Sequence, residues 1–239
     1  DQDQVDEARM VGVVAGLGAI ENSFLHLTSP GVAPYDEDYA ALRLMIEHLT
    51  ATEGDFWTKL RGAGLTYGSW IMPRLDARRI IFSLYRCTDL PAAYAASKQI
   101  IVDYATGAST INDVELAGAQ SSLAYSLISQ CGTKQKAAQD AQIKAYQGAE
   151  VDHSRWLLAQ VGSVTAEMMI HALRKYLVPL FDSEATVAVT CPPSKAEEIA
   201  SKLEEAHGCT VRVVAEEKLA ELGSFVAGVA APPPAPKPT

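Results

Sequence analysis

The densest cluster of residues able to do chemistry in this chain runs from Gly54 to Gly68 and reads GDFWTKLRGAGLTYG. An arginine, Arg61, closes a helical run, a glycine loop turns the chain, and Tyr67 opens a strand six residues after the arginine. Gly62 and Gly64 permit tight backbone and positive φ, so the loop can aim a guanidinium and a phenol at one point. Such a pair donates hydrogen bonds to a peptide carbonyl or to a developing oxyanion. A surface arginine beside a half-buried strand tyrosine has the same spacing, so spacing alone assigns no role.

Other constellations carry less. The window Leu44–Met45–Ile46–Glu47–His48 lies on a predicted helix. An inverted zinc motif, His-x-x-Glu-His, places two histidine ligands four apart with the glutamate as general base. Here Glu47 and His48 stand, but Leu44 occupies the first ligand position, and one histidine does not hold a catalytic zinc by itself. No metal ligand set is therefore expected in this chain. Gly16–Leu17–Gly18 follows a strand but lacks the third glycine and the helix of a dinucleotide loop, so it reads as a tight bend. His26, His153, His171 and His207 fall on different elements without ligand or triad spacing. No Gly-x-Ser-x-Gly elbow offers a nucleophile. Cys87, Cys131, Cys191 and Cys209 form no Cys-x-x-Cys pair and are expected as reduced, mostly buried thiols of an intracellular protein, with a Cys191–Cys209 bridge left open.

These residues need a scaffold, and hydrophobic periodicity supplies one. Strands are predicted at Met10–Ala15, Ser23–Thr28, Tyr67–Met72, Arg78–Tyr85, Thr186–Thr190 and Thr210–Val214, with the third and fourth forming a hairpin and Ser29–Pro30–Gly31 breaking the second. Helices are predicted at Tyr35–Thr50, near Asp55–Arg61, and at Leu90–Tyr104. A helix from Asn112 to Gln130 carries a capping box with Glu115, and Lys134–Tyr146, Asp152–Val161 and Thr165–Tyr176 follow. A second capping box, Ser194 with Glu197, opens a helix to His207 that Gly208 stops, and a short helix is expected over Glu216–Leu222. The order predicts an α+β fold, an antiparallel-rich sheet with helices packed on one face. Residues 1–8 read as a polar lead-in, 9–222 as one domain, and 223–239 as an Ala/Pro-rich flexible tail. The net charge of −9 over 239 residues argues against a nucleic-acid partner. The chain has no run of about 18 apolar residues, so no membrane partner is expected. It opens at Asp1 rather than Met, which reads as a fragment or a processed piece.

The run Arg61–Gly62–Ala63–Gly64–Leu65–Thr66–Tyr67–Gly68 resembles the C-terminal-half signature of the pitrilysin and insulysin-type zinc metalloproteases. Its Arg-to-Tyr spacing is most similar to the presequence-protease branch. Three stretches, Gly16 to Leu25, Ser29 to Gly31 and Arg61 to Leu65, resemble poorly characterised fungal members. The resemblance runs from about residue 9 to 222 and implies a degenerate, zinc-free metalloprotease-like domain. It also implies that Arg61 and Tyr67 act catalytically and, with Gly64, bind substrate, while Glu47 and His48 are relics. On the same terms zinc sits in an N-terminal domain of the parent protein, and the partners are the N-terminal half of the same protease and an unstructured peptide substrate. The compartment would be intracellular, the cytoplasm ahead of the mitochondrial matrix. The chain alone is expected to be inactive. The rival expectation is a non-catalytic scaffold domain of the same fold, as in respiratory-complex core or inactive processing-peptidase subunits. Retention of Arg61 and Tyr67 favours the enzyme.

Overall fold

The computed structural model describes residues 10–183 and 185–219. The lead-in 1–8, the tail 223–239 and the last residues of the expected Glu216–Leu222 helix lie outside them; a helical turn covers 216–219. Six strands form one sheet: β1 (Met10–Gly16), β2 (Ser23–Pro30), β3 (Thr66–Arg74), β4 (Arg79–Cys87), β5 (Thr186–Cys191) and β6 (Thr210–Ala215). The order is β3-β4-β2-β5-β1-β6. Strands β3, β4, β2 and β5 pair antiparallel, whereas β1 pairs parallel with both β5 and β6. The β3–β4 hairpin stands where the alternation places it.

The helices are α1 (Tyr39–Thr50), α2 (Leu90–Thr106), α3 (Asp113–Gln130), α4 (Lys134–Tyr146), α5 (His153–Val161), α6 (Ala166–Ala172) and α7 (Ala196–His207). They cover one face of the sheet. From the sheet, Val14, Leu25, Leu27, Phe82, Leu84 and Val189 enter a single core, where they meet Leu42, Met45 and Leu49 of α1, Tyr94 and Ile101 of α2, and Leu203 of α7. The period of two in β2 shows this directly: Leu25 and Leu27 are buried, while His26 between them is exposed.

Four local expectations are corrected. Helix α1 begins at Tyr39 rather than Tyr35, because the Asp38 N–H donates to Asp36 Oδ1 and the Tyr39 N–H to the Asp36 carbonyl. That local side-chain turn competes with helix. Strand β2 continues through Pro30, which is its last residue and so removes no interior ladder bond. Gly31 then passes so close that a Cβ there would stand 2.6 Å from the Arg79 carbonyl carbon. The helix expected over Thr165–Tyr176 divides into α6, a π turn at Leu173–Leu177 and a 3-10 turn at Val178–Phe181, where Pro179 has no N–H to continue an α ladder. The Ser194–Glu197 capping box does not form. A 3-10 turn already winds from Pro193 to Lys195, and Lys195 is the N-cap of α7 with no side-chain bond. The Asn112 box does form: Asn112 Oδ1 accepts from the Val114 and Glu115 N–H groups and Glu115 Oε2 from the Asn112 N–H, each at 3.0 Å. All four cysteines are free, and Cys131 is exposed.

Candidate functional site

The arginine is positioned by a short, wide helical turn. Trp57–Arg61 is a π turn, in which the Gly62 N–H donates to the Trp57 carbonyl at 2.8 Å and the Leu65 N–H to the Leu60 carbonyl at 2.9 Å. Both bonds span five residues rather than four, a geometry that occurs mostly as single turns and often at functional sites. Within it Trp57 and Arg61 stack, the Arg61 Cζ 4.2 Å from the Trp57 ring centroid. The loop then turns through Gly64 at φ 73°. Thr88, just beyond β4, fixes this loop: its hydroxyl donates to the Gly64 carbonyl at 2.8 Å and its N–H to the Leu65 carbonyl at 3.1 Å.

Tyr67 follows as an outward residue of β3. Thr66 is buried, with Oγ1 2.8 Å from the Tyr85 carbonyl, and Tyr67 is 59% exposed. The Arg61 Cζ lies 4.9 Å from the Tyr67 ring centroid, so the structure brings the two residues together. The Tyr67 and Tyr85 rings meet edge-on at 6.3 Å, and Tyr85 also meets Phe24 at 5.2 Å and Trp70 at 5.7 Å. Trp70 lies over Gly68, where a Cβ would approach its ring to 2.8 Å. The result is a cationic and aromatic patch at the β3 edge of the sheet.

The patch holds a second guanidinium that the sequence reading passed over. Tyr85 and Arg86 of β4 stand opposite the single residue Phe24 of β2, a one-residue bulge. Arg86 adopts φ 55° there, and its Cζ lies 5.5 Å from the Tyr85 ring centroid. A hollow of about 400 Å³ is lined by Asn22, Arg61, Gly64, Thr66, Tyr67, Arg86 and Thr88. Among the described residues neither Arg61 nor Arg86 has a carboxylate partner. The available sequence signal was Arg86 itself, which falls where the alternation of Ile80, Phe82 and Leu84 calls for an apolar residue.

The zinc-like window on α1 is placed differently. Leu44 is fully buried in the core. Glu47 accepts from the Ser122 hydroxyl at 2.5 Å, and His48 Nε2 lies 2.9 Å from the Tyr104 hydroxyl. Burial holds the His48 pKa below its ordinary value. Among the described residues no three His, Cys, Asp or Glu side chains converge as metal ligands. These residues do not fit a zinc ion. A larger hollow, about 630 Å³, lies between α1, α3, α4 and the β3–β4 turn. The buried cation that lines it, Lys144, is already satisfied by Asp140 and Ser154, and none of Arg61, Tyr67, Arg86, Glu47 and His48 lines it.

No protein-family model matches the chain. It is 33% identical over 181 residues to an uncharacterized protein of Saccharomyces cerevisiae, covering 75% of this chain and 17% of the relative. An uncharacterized protein of Caenorhabditis elegans is 28% identical over 189 residues, covering 78% and 19%. The chain thus spans less than a fifth of these relatives' length. Among solved structures it is similar to a peptidase M16 inactive domain from Pseudomonas fluorescens (TM-score 0.57, 20% identity, 76% of this chain and 43% of that one). It is also similar to a protease from Helicobacter pylori (TM-score 0.63, 13% identity, 77% and 45%) and to pitrilysin (TM-score 0.56, 14% identity, 86% and 22%). The fold is that of the M16 peptidase domains, a group that includes inactive ones.

Proposed function

We propose that this chain is a substrate-clamping domain of a longer zinc metalloendopeptidase, of the presequence-protease-like branch, acting on unstructured peptides. The observation that carries the reading is the convergence of Arg61 and Tyr67 at one exposed hollow, in a domain of M16 peptidase fold whose own zinc-like window is filled by Leu44. Zinc would be held by another part of the same polypeptide, its N-terminal half, which is also the proposed partner. This chain's share of the work is donation. The Tyr67 hydroxyl and the Arg61 guanidinium offer N–H and O–H groups to a peptide carbonyl, and stacking between Trp57 and Tyr67 limits the arginine's freedom. Donors fixed before the substrate arrives stabilise developing negative charge without reorganising. Splitting such donors from the metal would tie cleavage to closure of the two halves. An intracellular compartment, the cytoplasm ahead of the mitochondrial matrix, belongs to the same proposal.

The test is peptide cleavage by the full-length polypeptide that carries this chain. Wild type should cleave, a chelator should abolish cleavage, and Tyr67→Phe should lower kcat by about 10²-fold. The second reading, a non-catalytic scaffold, is favoured by the likeness to an inactive M16 domain. It would move ahead if wild type failed to cleave, or if Tyr67→Phe cleaved as well as wild type.

A further inference from the structure

We propose that the hollow between Arg61, Tyr67 and Arg86 is a carboxylate pocket, so that the peptides it takes present a free carboxylate to the two guanidiniums. The proposal rests on the reading above only in taking the ligand to be a peptide. Three observations carry it. First, two arginines line one hollow and neither meets an acid among the described residues, in a chain whose net charge is −9. Second, the backbone at Arg86 is unfavourable for a side-chain-bearing residue: φ is 55°, inside a strand, at a bulge. The other two such residues, Glu53 and Arg78, lie in turns outside any strand. A residue held in this region persists only where the surroundings impose it, and such residues cluster at ligand sites. Third, the remaining polar lining is complementary. Asn22 adds an amide, and no Asp or Glu lines the hollow.

The two guanidiniums are also held. Trp57, Arg61, Tyr67, Tyr85 and Arg86 form a continuous ladder, with successive separations of 4.2, 4.9, 6.3 and 5.5 Å. Cation–π contact holds the guanidiniums without consuming an N–H hydrogen bond, and the N–H groups of an arginine match the two oxygens of a carboxylate. The carboxylate can come from an acidic side chain of the peptide or from its C-terminus.

Both sources, and the proposal itself, are tested by fluorescence anisotropy with labelled unstructured peptides on the full-length polypeptide, chelated so that nothing is cleaved. Three peptides of one length suffice: one with an internal glutamate and an amidated C-terminus, one with glutamine and a free C-terminus, and one with glutamine and an amidated C-terminus. At least one carboxylate-bearing peptide should bind about tenfold more tightly than the neutral one, and which of them does so identifies the source. Arg86→Gln should bring that peptide's affinity down to the neutral peptide's. Arg86→Gly, which relieves the backbone while removing the cation, should do the same, whereas Arg86→Lys should keep part of the preference. Equal binding of all three peptides by wild type, or a preference that survives Arg86→Gly, overturns the proposal. So does tighter binding of an oligothymidylate than of any peptide, which would make the ladder a base-stacking platform. A protein that shows the carboxylate preference yet never cleaves would refute the peptidase reading and leave this one standing.

Discussion

At the residue scale, three histidines, His153 and His207 buried and His48 half-buried, divide the work of anchoring elements to one another. His48 on α1 meets the Tyr104 hydroxyl of α2, His153 at the start of α5 meets the Pro34 carbonyl, and His207 at the end of α7 bridges the Tyr94 hydroxyl and the Ala185 carbonyl at 2.7 and 3.2 Å. Burial holds all three below their ordinary pKa of 6.5. Each ring is therefore favoured neutral in the folded state and titrates normally in the unfolded chain. Their stabilisation is complete above about pH 6.5 and is lost as pH falls through the lowered folded values. Thermal melts of the chain should show a lower Tm at pH 5 than at pH 7.5, and His207→Gln should reduce the difference. A Tm that rises on acidification would contradict the assignment. The same scale explains what became of the zinc-like window. The pair Glu47–His48 was legible in sequence, but the use of His48 as a helix-to-helix bond depends on Tyr104, 56 residues away.

At the element scale, helix starts separate what local sequence controls from what neighbours control. Asn112 and Glu115 form their capping box because both partners lie within four residues and nothing competes. Ser194 and Glu197 have the same spacing, yet the 3-10 turn at Pro193 places Ser194 inside the helical path, where its hydroxyl cannot cap. Asn112→Ala should cost about 1 kcal/mol, lowering Tm by roughly 2–4 °C for a domain of this size. Ser194→Ala should leave Tm unchanged. Differential scanning calorimetry distinguishes them, and equal losses at the two sites would refute the cap assignment. The bulge on β4 belongs to this scale too. Alternation correctly predicts a strand up to Tyr85, but the extra residue at Arg86 follows from pairing with β2, a strand nearly sixty residues earlier.

At the scale of the whole molecule, the sheet is closed by the chain's return. Both neighbours of β1, namely β5 and β6, come from residues 186–215. A chain ended at residue 183 would leave β1 unpaired and β2 at a sheet edge. Such a truncation should lose its cooperative thermal transition by circular dichroism, because β1 then has no strand to satisfy its backbone N–H and C=O groups. A sharp transition retained in the shortened chain would mean that the first 183 residues fold without β5 and β6. Among the described residues no helix is long and apolar enough to cross a membrane.

What the sequence determined by itself is what short-range physics controls. Apolar period fixes the strands and most helices, the glycine loop brings Tyr67 within reach of Arg61, and Leu44 removes the first ligand of the zinc-like motif. Those features depend on residues within one or two turns of each other. The tertiary structure decided everything that needs a distant partner. It set the parallel pairing of β1, the bond of His48 to Tyr104, and the clipping of the glycine loop by Thr88. It also set the bulge that brings Arg86 to the hollow, because a strand's register is fixed by the residues it faces and not by those it follows.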